Sequence, residues 1–196
     1  MKKYFIASIM VSIFAFVFCC APLALATEET AFTKNLGKTS AGDADAQFYA
    51  GVSYLTGSDG NAKDPVKARE WFEKASAQGH TLAMAQLAKL YDNGEGVEQD
   101  YKKALGLYEK AAMLGEEIAQ SGAGKLYYFG RGCEKSLVKS YAYATMSGST
   151  DEAALESVKF LFAGKLSDAE LAEAKDLAGK MRVEVEKNKA GAGTKK

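Results

Sequence analysis

The side chains of this chain with reactive chemistry to offer are one histidine, three cysteines and several paired carboxylates. With His80 as the sole histidine, no histidine-based metal site can be assembled, and a nucleophilic Ser or Cys has a single candidate base. Cys133 would need a neighbouring cation or base to lower its pKa before it could attack anything. Glu95-x-x-Glu98 and Glu116-Glu117 fall between apolar stretches, where acidic residues are ordinary solvated surface. Nothing near them would drive two carboxyl pKa values apart, as acid–base catalysis requires. Gly122-x-Gly124 and Gly130-x-Gly132 follow no strand pattern, so they are packing and turn glycines, not a phosphate cradle. No Ser-x-x-Lys with supporting partners is found. These residues predict no catalysis, no metal and no cofactor.

The elements that hold them form a repeat. Between Gly79 and Gly115 the chain spells Ala83-x-x-x-Leu87-Ala88-x-x-Tyr91-x-x-Gly94-x-Gly96-Val97-x-x-Asp100-x-x-Lys103-Ala104-x-x-Leu107-Tyr108-x-x-Ala111-Ala112-x-x-Gly115. A shift of 36 lays Ala119, Leu126, Tyr127, Gly130, Gly132, Cys133, Glu134 and Lys139 over Ala83, Leu90, Tyr91, Gly94, Gly96, Val97, Glu98 and Lys103. In the other direction Ala46, Gly51, Tyr54 and Gly57 align at 37, then Asp64, Ala68, Trp71, Phe72, Lys74, Ala75 and Gly79 at 36, which places one inserted residue between Gly57 and Asp64. A period in the middle thirties, with no unit able to bury its apolar face alone, marks a stacked solenoid. Helix A of the second repeat is expected from about Thr81 to Asn93 and helix B from about Tyr101 to Leu114, each with apolar residues at helical spacing. Asp64 and Asp100 are placed to cap helices B, Pro65 sits where its missing N–H costs nothing, and Gly79 and Gly115 end them. In this register His80 takes the slot of Asp43 and Glu116, a solvent-side turn tolerant of any polar residue, and Cys133 takes the apolar slot of Val97, as a small hydrophobe.

This frame closely resembles the Sel-one-like repeat, a relative of the tetratricopeptide repeat with a longer loop between its helices. The resemblance covers residues 41–150 as three repeats, at about 43–79, 80–115 and 116–150. It implies an all-α, right-handed α/α superhelical solenoid of stacked helix-turn-helix units. Departures are local: Ala88 stands where Gly51 and Gly124 keep the family's glycine, and the third repeat has Ser136 for the capping aspartate and Asp151 for the terminal glycine. Residues 151–186 read as a degenerate repeat and C-terminal cap, with Ser167-Asp168-Ala169-Glu170 as a capping box before a helix carrying Leu171, Ala174, Leu177, Ala178 and Met181. Residues 187–196, rich in Lys, Gly and Ala, read as a disordered tail.

The resemblance also implies a binding surface, since helices A of such solenoids line the concave side. Carried over by register, it comprises Phe48, Val52 and Leu55, then Ala85, Lys89, Asp92 and Asn93, then Ser121, Lys125, Tyr128 and Phe129. With the core aromatic slot filled by Tyr127, its neighbours Tyr128 and Phe129 must face elsewhere, as candidate anchors. Lys89 and Lys125, roughly 10 Å apart on neighbouring helices, could clamp a carboxylate of a bound peptide. The other reading leaves both lysines solvated and packs Tyr128 against the C-terminal cap.

The N-terminus has the form of a secretory signal peptide: Met1-Lys2-Lys3, an apolar run from Tyr4 to Phe18, and Ala24-Leu25-Ala26 before Glu28 and Glu29. Cleavage near Ala26 predicts a periplasmic or extracellular protein without stable membrane insertion. Phe18 and Val17 are bulky for a lipidation site at Cys19 or Cys20, and Cys133 alone then survives, excluding an internal disulfide. Removing the first 26 of 196 residues leaves 170. From 25 basic and 25 acidic side chains, loss of Lys2 and Lys3 leaves a slightly acidic chain with no basic excess for nucleic acid. Residues 27–40 read as a flexible leader whose Phe32 and Leu36 could lie back near Phe48 and Val52.

The expected function is a non-catalytic adaptor for a peptide or protein partner. Two alternatives remain at this level: a cell-wall-directed enzyme or binder of the β-lactamase-like repeat type, whose per-repeat disulfide this chain lacks, and a structural subunit of an envelope assembly.

Overall fold

The computed structural model describes residues 42–146 and 158–193. The expected signal peptide and the whole of the expected leader lie outside them. The described helices are α1 (Ala44–Thr56), α2 (Pro65–Ala77), α3 (Thr81–Asn93), α4 (Tyr101–Ala112), α5 (Glu117–Phe129), α6 (Leu137–Met146) and α7 (Asp168–Gly193), with a helical segment at 158–162 before α7. No strand occurs among the described residues.

Each helix begins where a side chain can accept an otherwise unpaired backbone N–H. Asp64 accepts from Lys67 N at 3.1 Å, Asp100 from Lys103 N at 2.9 Å and Ser136 from Lys139 N at 3.2 Å, so serine replaces aspartate with the function kept. The slot before helices A is equally specific, against the expectation of an indifferent turn. Asp43 accepts from Asp45 N and Ala46 N, His80 Nδ1 from Ala83 N at 3.1 Å and Glu116 from Ile118 N at 3.4 Å. Helices A end on Gly57, Gly94 and Gly130 in the left-handed conformation. The second glycine of each later pair serves the stacking. A Cβ on Gly96 would collide with the backbone of Pro65, and one on Gly132 with the backbone of Tyr101, so each loop lies directly on the start of the preceding helix B. In the first repeat the added loop residue is absorbed by Asp59 at φ 54° and by Ser53, which stands in the slot of Leu90 and donates to Ser58 O at 2.8 Å.

The helices pack in sequence, α1 on α2, α2 on α3 and so on to α5 on α6, with α7 on α6. Alanine makes this close approach possible. Ala68, Ala75, Ala83, Ala88, Ala104, Ala111, Ala112, Ala119, Ala123 and Ala142 are fully buried, with Phe72, Met84, Leu90 and Leu126 filling the space between. A polar bracket crosses each junction. Tyr91 donates to Glu73 of α2 at 3.3 Å and accepts from Lys103 of α4 at 2.5 Å, while Tyr127 donates to Glu109 at 2.6 Å and accepts from Lys139 at 3.5 Å. Burial first, then the Glu109 carboxylate, pushes the Tyr127 hydroxyl well above its usual pKa, so it stays a donor.

The C-terminal helix corrects one expectation. Ser167 and Glu170 form the capping box, with Ser167 N donating to Glu170 at 2.8 Å and Glu170 N to Ser167 at 3.3 Å. The helix does not stop near residue 186 but continues to Gly193, 26 residues and about 39 Å long. The physical reason lies at another helix end, where Asn188 Nδ2 donates to Met113 O at the end of α4 at 2.8 Å. Nearer its middle, α7 is also tied to the end of α6, where Arg182 donates to Thr145 O. Ala174, Ala178, Met181 and Val185 form the buried stripe.

Candidate binding surface

Of the three helices A, α3 and α5 meet directly. Along helices A the expected surface divides into two unlike halves.

In the first repeat the residues serve the core. Phe48 is half-buried and stacks on His80 at 4.7 Å, with Phe72 at 5.9 Å, and Val52 and Leu55 pack on the core edge. His80 is nearly enclosed, with Nε2 3.2 Å from Asp45. Because its Nδ1 accepts the Ala83 N–H, the proton of the neutral ring sits on Nε2 and faces that carboxylate. Ala85 is fully buried. Lys89 and Asn93 are exposed.

Asp92 is buried, and Lys125 reaches it across the α3–α5 contact at 3.8 Å. The two-lysine clamp is thus altered, because one of its cations already faces a carboxylate. Burial and then the Asp92 charge raise the pKa of Tyr108.

The third repeat carries the opening. A cavity of about 350 Å³ is lined by apolar atoms of Gly124, Tyr128, Phe129 and Ala144 and by Val158, Leu161 and Phe162 of the segment before α7, with Ser121, Lys125 and Ser140 at its polar points. Tyr128 is half-buried, edge-on to Phe129 at 5.1 Å and to Phe162 at 5.9 Å, and its hydroxyl accepts from Lys165 at 2.7 Å. Tyr128 thus packs on Phe162 before α7 and also walls the cavity. Phe129 is 56% exposed and Leu161 48%. Val158, Leu161 and Phe162 escaped the sequence reading. Their signal was the run Phe160-Leu161-Phe162, of which only Phe162 is buried.

The remaining candidates have structural roles. Burial raises the Cys133 thiol pKa and Glu109 adds to this, while Lys139 opposes it, so the sulfur remains a thiol against the core. Ser136-x-x-Lys139 is no nucleophile pair: Ser136 caps α6, and the Lys139 ammonium lies over the Tyr127 ring at 4.9 Å. Among the described residues no group of three or more His, Cys, Asp or Glu side chains could hold a metal ion. No helix there is long and apolar enough to cross a membrane.

The Sel1 repeat model matches three successive segments, residues 44–80, 81–116 and 118–149, more than half of the chain. The chain belongs to the Sel1 repeat family. Two solved structures share its fold. One is c5321, a protective antigen present in uropathogenic Escherichia coli strains displaying an SLR fold, at 24% identity and a TM-score of 0.58 over 85% of this chain and 44% of that one. The other is a Sel1 repeat protein from Oxalobacter formigenes, at 29% identity and a TM-score of 0.57 over 65% of this chain and 96% of that one. The chain thus spans less than half the length of c5321. No curated protein matches the sequence. Sel1 repeats serve generally as protein–protein interaction modules and are typically non-catalytic scaffolds.

Proposed function

We propose that this Sel1 repeat chain is an exported, non-catalytic adaptor that holds a peptide or protein partner on its helix-A surface, chiefly at the third repeat. The observation that carries this reading is the apolar cavity between α5, α6 and the segment before α7, with Phe129 and Leu161 exposed at its edge. Large apolar side chains left in solvent around a concavity are what a partner's side chain would cover. Lys89, Asp92, Asn93 and Lys125 lie farther along the same face and would fix a partner by polar contacts, whereas Phe48 and Val52 shape the first repeat beneath it. Export rests on the signal-like residues 1–26.

Photo-crosslinking in the cells that make the protein tests this, with the probe at Phe129 and, as control, at Gly106 on the open face of α4, where nothing lies within 4 Å. Capture of a partner from Phe129 and not from Gly106 is the expected result. Equal capture from both positions, or capture from Gly106 alone, overturns the reading in favour of docking by the outer face.

A further inference from the structure

The cavity of the third repeat is mainly apolar inside, and cations lie against the two aromatic rings, Tyr128 and Phe129, that wall it. Lys165 lies 5.2 Å from the centre of the Tyr128 ring and Lys135 lies 5.7 Å from it, so two ammonium groups converge on one aromatic wall. Arg131 lies 5.2 Å from the centre of the Phe129 ring, and Lys125 lines the cavity itself. Among the described residues, Asp92 is the one carboxylate within ion-pair distance of any of these four cations, and it serves Lys125 alone. An incoming carboxylate would gain charge-assisted hydrogen bonds from these cations.

The size of the cavity limits what enters. At about 350 Å³ it lies near the lower end of the range for ligand sites, roughly 300–1,000 Å³. It therefore suits one large apolar side chain rather than an extended ligand. Tyr128, Phe129 and Phe162 offer ring edges and faces to such a group, and edge-to-face contact between rings adds to area burial.

We infer that the pocket recognises an acidic–aromatic peptide segment, in which one phenylalanine-like side chain enters the cavity and flanking carboxylates meet Lys125, Arg131, Lys135 and Lys165. This deepens the adaptor reading and rests on it.

The test is fluorescence anisotropy with labelled peptides built on a Gly/Ser spacer. They carry a central Phe flanked by Glu, the same peptide with Ser for Phe, and a third with Lys for Glu. The expected result is that the Glu–Phe peptide binds at least about tenfold more tightly than either control, weakening as salt rises. Ser121→Trp, which fills the mouth from an exposed position, should cut its affinity about tenfold or more. Lys165→Glu, also at an exposed position, should weaken the Glu–Phe peptide and favour the Lys–Phe one. Equal binding of the Phe and Ser peptides, or no effect of Ser121→Trp in a protein with unchanged melting, overturns the inference. A concentration-dependent dimer that Ser121→Trp abolishes, with no peptide bound, would place a second copy in the cavity and also overturn it. If the peptides fail while Phe129 still captures a protein in cells, the recognition rule falls and the adaptor reading stands; failure of both assays removes both.

Discussion

His80 shows how a residue with catalytic potential can be committed to structure. One ring nitrogen caps α3, the other faces Asp45, and the ring face lies on Phe48. His80→Ala removes the cap and the stacking together and is expected to cost about 1–2 kcal/mol, the upper range for a lost N-cap. His80→Asp restores an acceptor, as Asp43 supplies for α1, and should recover part of that loss in urea unfolding. Equal destabilisation by both variants would show that the cap contributes nothing. The sequence placed His80 in the correct slot but could not show that the slot caps a helix, because capping depends on backbone direction at one residue. The lining of the third-repeat cavity was half legible for a related reason. The adjacency of Tyr127, Tyr128 and Phe129 forces two rings off the core stripe, which any helical projection reveals. That Val158, Leu161 and Phe162 form the opposite wall depends on how a degenerate repeat returns to α5, and no spacing in the sequence encodes that return.

At the scale of the element, the frame was legible because it is written three times, so a departure in one copy is outvoted by the others. The second glycines are where local and long-range demands meet. Gly96 and Gly132 have φ near 70°, and a Cβ at either would meet backbone of the preceding repeat. Gly132→Ala is expected to cost more than the roughly 1–2 kcal/mol of a left-handed non-glycine residue alone. Gly106→Ala, within α4 where nothing lies within 4 Å, should instead stabilise by about 0.5–1 kcal/mol. Chemical denaturation of the pair checks both signs. The caps carry a pH signature too. The Lys67 N–H lowers the Asp64 pKa from 3.8, and the Ser167 N–H lowers that of Glu170 from 4.5. Both folded values lie below the unfolded ones, so the stabilisation is full above the unfolded values and is lost as pH falls through the folded ones. Between pH 6 and pH 3, the melting temperature of the wild type should therefore fall more steeply than that of Asp64→Asn/Glu170→Gln, which keeps its acceptors without their titration. Parallel curves would show that these caps do not couple protonation to folding.

For the whole molecule, the ends decide how a quasi-one-dimensional stack behaves, because each repeat leans only on its neighbours. α7 departs from that rule: it covers α6 and then reaches the end of α4, one repeat farther back, through Asn188. Its reach was illegible in a tail of Lys, Gly and Ala, since the partner that orders it is a carbonyl 75 residues away in sequence. A helix that closes two repeats at once should bind their unfolding into a single step. Truncation after Glu186 removes the Asn188 bond and the contact of Lys189 with Gly115, while leaving Met181 and Val185 in place. The hydrogen bond alone is worth about 0.5–1.5 kcal/mol, so the global loss should be modest. The change in pattern should be larger: amide exchange at the C-terminal turn of α4 should accelerate while α1 and α2 remain as protected as before. The apolar cavity lies between α5, α6 and the segment that α7 follows, so loosening of the third repeat would also weaken whatever that cavity binds. Uniform acceleration along the whole chain would instead mean that the stack already unfolds as one unit, and that α7 adds stability without setting cooperativity.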